Sequence, residues 1–377
     1  MSATVGAAQQ RGATPRAGFK ARLPKGVTGL VGFALAVTLV CALAAPRFTS
    51  VANVQSMAFQ VAEIGLLSLV IAVSMYTAGI DLSLVSVANL AALVTAQLFV
   101  LTDAATADAG TAVLLTVLCA AAGLAVGAGC GAINGLIITK LRVSPILATL
   151  GTMQLFNGIA IGWTSGESVY GMPDAFLALG TQYLIGIPVP FVVFAIAATL
   201  IAVLMAKRPL GFRIYVLGSN PEASRFAGVP NTRVLFATYV LCGVISAIAG
   251  LVIAARSASA SPDYGGSYLL LAIVIAVLGG TNPNGGSGTV LGVVIAAVTL
   301  QMVSSTFNLL GLSQFTYQVV QGVILIAVMG IGLLSKSWNL GKVVARLAGI
   351  AESRAGAGDA ESKRGESATE VKESAND

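Results

Sequence analysis

Long apolar runs dominate the chain, and within them apolar positions are continuous rather than alternating with polar ones. "VTGLVGFALAVTLVCALAA" from Val27, "IGLLSLVIAVSMY" ending at Tyr76 and "FVVFAIAATLIAVLMA" from Phe191 are built from Ala, Val, Leu, Ile and Gly with few interruptions. A helix that crosses about 30 Å of hydrocarbon needs roughly 20 such residues. Backbone groups in lipid must be satisfied within the segment or within a closed barrel. The missing period-two pattern excludes an outer-membrane barrel. The pattern therefore predicts an all-α integral membrane protein, a polytopic bundle of about ten transmembrane helices. The spans are expected near 27–45, 59–78, 82–101, 111–138, 146–163, 189–206, 234–254, 267–280, 289–310 and 316–334. The second and third nearly abut, the eighth is short, and clusters such as "TSGESVYGMPD" and "SASPDYGGSY" punctuate the gaps.

Composition agrees with a membrane protein. Only 10% of the 377 residues are charged and the mean hydropathy is +0.89, whereas soluble domains carry about 25% charged residues. With ten spans and a cytoplasmic N-terminus, all 21 Lys and Arg residues except Arg47 and Arg256 fall on one side, "TKLR", "AKRPLGFR" and "SKSWNLGK" among them. An excess of Lys and Arg close to span ends marks the cytoplasmic face, so both termini are expected there. The organisation follows as a basic tail over 1–26, a ten-span membrane domain over 27–335 with a cytoplasmic loop at 207–233, and a polar tail over 336–377. That last tail lacks the apolar residues needed for a core and is expected to be largely disordered. The first apolar run follows basic residues as a signal peptide would, but exceeds the usual 7 to 15 residues of a signal core and reads as a retained span.

The formal charge of +6 is spread over span ends and tails, so it sets topology and does not point to nucleic acid. No histidine is present, which removes zinc-hydrolase and Ser-His-Asp chemistry. Cys41, Cys119, Cys130 and Cys242 lie in predicted spans without paired spacing and read as small packing residues. "AVGAGCGAINGL" sits inside the fourth span, where small residues let helices approach closely. "LGGTNPNGGSGTVLG", residues 278–292, lacks the Lys-Ser/Thr ending of a phosphate-cradling loop. No catalytic residue, metal site or cofactor is expected in this chain.

Two polar features stand out. In "KRPLGFRIYVLGSNPEASRFAGVPNTRV", residues 207–234, Asn220 can cap a helix that Pro221 opens and Glu222 complements. Gly228 supplies a left-handed stop, with Pro230 beyond. The predicted helix, 221–227, is too short to be stable alone in water and needs something to pack against, its own protein or a partner. The second feature is Asp81. An acid at membrane depth is a functional hypothesis by default, yet Asp81 or Ser83 could instead cap the third helix where the chain breaks. Gln60, Glu63, Asn89, Thr152, Gln154, Asn157, Gln301, Asn308, Gln318 and Gln321 are further polar candidates. They either line a path or hydrogen-bond between helices.

Four stretches carry a family resemblance. "AGIDLSLVSVANLAALVTA", "GAINGLIITKLRVSPILATLGTMQLFNGIAI", "LGSNPEASRFAGV" and "VLGGTNPNGGSGTVLG" are similar, in the same order, to motifs of permease subunits from the ribose-type, simple-sugar branch of ATP-binding-cassette (ABC) importers. The similarity runs from about 28 to 335. It implies a ten-span subunit of the bacterial cytoplasmic (inner) membrane that moves a monosaccharide and does no chemistry itself. A second permease copy or paralogue would complete a dimer. A periplasmic or surface-tethered sugar-binding protein would deliver substrate. A separate ABC ATPase would grip Asn220, Glu222, Ala223, Arg225 and Gly228. Asp81, Ser83, Gln60, Asn89, Thr152, Asn157 and Asn308 would belong to the translocation pathway or the helix break. Four positions depart from the family pattern. Leu269 and Leu271 replace acids in "YLLLA", while Asn157 and Ser287 stand where basic residues are common, which suits a heterodimer or an unusual substrate. Nucleoside or branched-chain amino acid importers, and an ion-coupled transporter using Glu63 or Asp81, are the alternatives.

Overall fold

The structure is a computed structural model that describes residues 25–313, 315–323 and 326. The N-terminal tail to residue 24, the C-terminal tail and most of the expected tenth span lie outside the described residues. Twelve helices and one small hairpin follow in order: α1 (Lys25–Ala44), α2 (Val51–Tyr76), α3 (Leu84–Leu101), α4 (Ala109–Lys140), α5 (Pro145–Thr164), α6 (Asp174–Thr181), β1 (Tyr183–Leu184), β2 (Ile187–Pro188), α7 (Val189–Lys207), α8 (Pro209–Ser219), α9 (Pro221–Phe226), α10 (Asn231–Ser257), α11 (Tyr268–Leu278) and α12 (Val290–Leu309). A further helical run occupies 315–323. Eight of these helices are long and apolar enough to cross a membrane.

Local chemistry sets the boundaries. Ser50 accepts the Asn53 N–H and Asp108 the Thr111 N–H, which opens α2 and α4. The Ser50 cap starts α2 at Val51, well before the expected 59. The stretch between α5 and α7, read from sequence only as polar punctuation, holds α6 and the hairpin. Its two turn residues, Ile185 and Gly186, both have positive φ, as a two-residue hairpin turn requires. The loop expected over 207–233 contains two helices rather than one. Besides α9 there is α8, opened by Pro209 and buried along Gly211, Ile214, Leu217 and Gly218.

At the centre lies α2, buried without interruption from Leu66 to Tyr76; a helix apolar on every side belongs inside a bundle. It packs against α7, α10, α11 and α12. The most extensive helix pairing is α4 with α10, and glycines permit it. A methyl at Gly127 or Gly243 would collide with the facing backbone, and one at Gly131 with the Tyr239 carbonyl. The small-residue run in the fourth span thus serves close approach, as its composition predicts. Cys41, Cys119, Cys130 and Cys242 are all free and buried.

The expected eighth span is half a span. α11 has 11 residues, about 17 Å of helix, too short for about 30 Å of hydrocarbon. The preceding segment, 258–267, folds back into the bundle. Irregular backbone at that depth must be satisfied by protein. Asn89 Nδ2 does this by donating to the carbonyls of Pro262 at 2.7 Å and Tyr264 at 2.9 Å, and Ala260 pairs backbone to backbone with Val169.

Candidate functional site

Neutral polar residues scattered through the sequence converge on one cavity. Gln60 of α2, Gln301, Ser304 and Asn308 of α12, and Gln318 and Gln321 of the last helical run line about 210 Å³ of space, together with Ile64, Ser267, Tyr268, Leu271 and Tyr317. Gln301 is buried whereas Asn308 and Gln318 are exposed, so Gln301 lies at the inner end of the cavity and Asn308 at its rim. Gln301 Nε2 donates to Gln60 Oε1 at 3.0 Å, and Gln60 Nε2 donates to Ser56 at 3.1 Å. These bonds hold the two amides in fixed orientations at the cavity floor. The described lining carries no charged side chain. Such a surface offers donors and acceptors to a neutral, hydroxyl-rich solute without a strong electrostatic trap.

A half-buried ion pair stands behind this wall. Arg256 Nη1, at the end of α10, donates to Glu63 Oε1 at 2.7 Å, and the Tyr268 hydroxyl donates to Glu63 Oε2 at 3.3 Å. Glu63 is nearly inaccessible while Arg256 is partly exposed. Sequence reading gave Glu63 as a lone polar candidate. Arg256, one of only two basic residues off the basic side, was the signal that a buried acid needed a partner.

The short capped helix α9 lies toward the opposite end of α12, which is 20 residues long, or about 30 Å. Asn220 caps α9 by accepting the N–H groups of Glu222 and Ala223, both at 3.0 Å. The helix ends at Phe226, one residue short of expectation, and Gly228 turns the chain at φ 75°. Asn231 fastens α9 to α10 by donating to the Pro221 carbonyl and accepting from the Ser224 hydroxyl. Only Ser224 of α9 is buried; Glu222, Ala223, Arg225 and Phe226 face outward, Phe226 at 86% exposure. Arg142, from the α4–α5 turn, joins Glu222, Arg225, Phe226 and Asn231 around a recess of about 600 Å³. Sequence reading missed Arg142 and Phe226, although an exposed phenylalanine beside a capped two-turn helix was a legible sign.

Asp81 belongs to neither place. Its Oδ1 accepts the Ser83 N–H at 3.0 Å and the Ser83 hydroxyl at 2.7 Å. Ser83 in turn accepts from Asn134 Nδ2 at 2.8 Å, and Asn134 Oδ1 accepts from Thr152 at 2.6 Å. Thr149 adds a bond, accepting the Leu82 N–H at 3.1 Å. The break between α2 and α3 is thereby tied to α4 and α5 through fully buried groups. Of the two residues expected to cap α3, Asp81 accepts the Ser83 N–H at the helix start, whereas the reading of Ser83 as the cap needs correction. Ser83 occupies the N-cap position with helical φ and ψ and makes no capping bond, because its hydroxyl is turned to Asp81. Asn134, missed by sequence reading, was visible as an amide within an apolar span. Asn89 and Thr152 are consumed by the bonds already described, and Asn157 is half-buried on α5 beside the exposed Gln154. None of these four lines the amide cavity.

A membrane-crossing bundle with a polar cavity at one end and a capped, outward-facing short helix at the other defines a multi-pass membrane permease. Over residues 53–329 the chain matches the family described as branched-chain amino acid transport system / permease component, and it belongs to that family. It is 36% identical over 296 residues to the ribose import permease protein RbsC of Bacillus subtilis strain 168, a match covering 78% of this chain and 88% of that protein. It is 34% identical over 272 residues to the autoinducer 2 import system permease protein LsrD of Yersinia enterocolitica, covering 71% and 79%. With the L-arabinose transport system permease protein AraH of Escherichia coli K12 it shares 33% identity over 298 residues, covering 79% and 87%. No solved structure matches the chain. The protein is thus a multi-pass transport permease of the inner membrane, and permeases of this kind work with an ATPase and a solute-binding protein.

Proposed function

We propose that this chain is the transmembrane subunit of an ABC importer for a simple sugar, paired with a second permease copy or paralogue and driven by ATP hydrolysed in a separate subunit. The observation that carries the substrate class is the amide- and hydroxyl-lined cavity. A sugar presents only neutral donors and acceptors, and Gln60, Gln301, Ser304, Asn308 and Gln318 answer them. An amino acid zwitterion would ask for charged partners, and the described lining carries no charged side chain. The names of the relatives, which import ribose, arabinose and autoinducer 2, support a sugar over the broader family description. Pairing of Glu63 with Arg256 leaves that acid unsuited to ion coupling. The exposed face of α9, with Arg142 beside it, would be the surface the ATPase grips. Asn308 marks the opposite mouth, where a binding protein would deliver its cargo.

The test is uptake of labelled ribose and arabinose into proteoliposomes holding this chain, its ATPase and its binding protein. ATP-dependent accumulation is expected, with loss in Gln301→Leu while the ATPase stays bound. Accumulation by this chain alone, driven by a proton or sodium gradient, would overturn the assignment.

A further inference from the structure

Beneath the coupling helix, three segments meet with almost no side chain between them. α8 and α9 share a single residue, Asn220, which ends one and caps the other, so the two cannot move independently over any distance. The last residues of α8, Gly218 and Ser219, lie against the glycine-rich loop between α11 and α12. A methyl on Gly218 would strike the Gly286 nitrogen and the Tyr76 carbonyl, and one on Gly286 would strike the backbone of Ser219. A methyl on Gly285 would meet the Ala78 nitrogen and the Gly218 carbonyl, both at 2.7 Å. Gly280, Gly285 and Gly286 have φ between 75° and 87°, and Gly288 has 147°, conformations that favour glycine. The loop is therefore glycine-rich for contact as well as for conformation.

Directed bonds complete the junction. The Gly286 N–H donates to the Tyr76 carbonyl at 3.1 Å, and the Tyr215 hydroxyl of α8 donates to the Gly288 carbonyl at 3.0 Å. The rings of Tyr76 and Tyr215 pack with centroids 5.1 Å apart. Asn282 braces the loop internally, through its N–H to the Ser287 carbonyl and its side chain to the Gly285 carbonyl. At its ends the loop is fixed as firmly. Gly279 ends α11 and abuts Val293, while Thr289 caps α12 by accepting the Gly292 N–H. Thus α8 touches the end of α2 and the link between α11 and α12, and these are the helices that carry Gln60, Tyr268, Leu271, Gln301, Ser304 and Asn308 into the cavity.

We propose that the loop 279–289 is the mechanical link by which displacement of the α8–α9 segment reaches the cavity walls, with Tyr215 and Gly286 as its positioning residues. Backbone packed on backbone has no flexible side chain to absorb a shift, so a movement of Ser219 is passed to Gly286 and on to α11 and α12. Coupling of this sort requires a contiguous element that both sites bias, and this junction is where the two meet. The inference rests on the importer reading above.

The experiment compares wild type, Tyr215→Phe, Gly286→Ala and a lipid-facing control, Leu200→Ala, each purified with its ATPase and reconstituted with the binding protein. ATPase retention, sugar-stimulated hydrolysis and sugar transported per ATP are measured. Tyr215→Phe removes one hydroxyl and keeps the ring, so the variant remains folded whatever the fate of Gly286→Ala. The expected result is retention of the ATPase and continued hydrolysis, with sugar moved per ATP falling about fivefold or more, the scale of a typical coupling between sites, and no change in Leu200→Ala. An unchanged ratio in Tyr215→Phe overturns the link alone. Loss of ATPase binding in that variant also overturns it, by making the junction part of the docking surface. A wild-type complex with no ATP-dependent uptake sinks the importer reading itself.

Discussion

At the scale of single residues, the decisive contrast is between Asp81 and Gln301, two polar side chains placed in apolar helices for different reasons. Asp81 is 1% exposed, and its Oδ1 takes two donors from Ser83. Leaving a buried donor without its acceptor costs about 1–3 kcal/mol, and Asp81→Leu would strand two. Heating the purified protein in detergent and following the soluble fraction should show a marked fall in midpoint for Asp81→Leu. Asp81→Asn keeps a carbonyl oxygen for the same donors and should retain both midpoint and transport. A stable Asp81→Asn protein that no longer transports would return the acid to the pathway. Gln301 behaves in the opposite way. Its loss removes one amide from the cavity floor and an interhelical bond of about 0.6 kcal/mol, so Gln301→Leu should lower uptake with little change in thermal stability.

At the scale of elements, the short helix α9 depends on its ends. Removal of an N-cap costs about 1 kcal/mol, and a non-glycine residue held in the left-handed region costs roughly 1–2 kcal/mol, as Gly228→Ala would at φ 75°. Asn220→Ala and Gly228→Ala should each weaken ATPase binding about fivefold to tenfold, with Asn220→Asp near wild type, as titration with the isolated ATPase would read. Unchanged affinity in both variants would remove α9 from the interface. These ends were legible because capping is local: Asn220, Pro221 and Gly228 act within a few residues of one another. The same locality placed the long spans and the break at Gly79–Asp81. What sequence reading missed was set by distant partners. Nothing near Asn89 announces the carbonyls of Pro262 and Tyr264, which let α11 start inside the bundle. Nothing in the sequence around Glu63 names Arg256, whose only signal was its place off the basic side, and α8 reads as loop because its buried face is short and half glycine. The amide cavity was visible as a set of candidates but not as a place, since its members come from three helices.

At the scale of the whole molecule, the distribution of charge and the packing of elements make one joint statement. The basic turns containing Arg142 and Arg225 are brought to a single recess, as expected if both face the cytoplasm, and Tyr76, Gly218 and Gly286 meet at the same end of the bundle. The hairpin tip at Ile185, 96% exposed, projects from the other end of α7, 19 residues away along the helix, about 29 Å. The four native cysteines are buried, so an introduced thiol can be read against a low background. A membrane-impermeant maleimide should label Ile185→Cys in intact spheroplasts, and should label Ala223→Cys only after the membrane is permeabilised. A reducing, membrane-permeant treatment should leave that difference intact, since it reflects sidedness and not oxidation. Labelling of Ala223→Cys in intact spheroplasts would put α9 outside, beyond the reach of any ATP-hydrolysing subunit. The amide cavity would then open toward the cytoplasm, and a permease facing that way could not receive a sugar from an external binding protein.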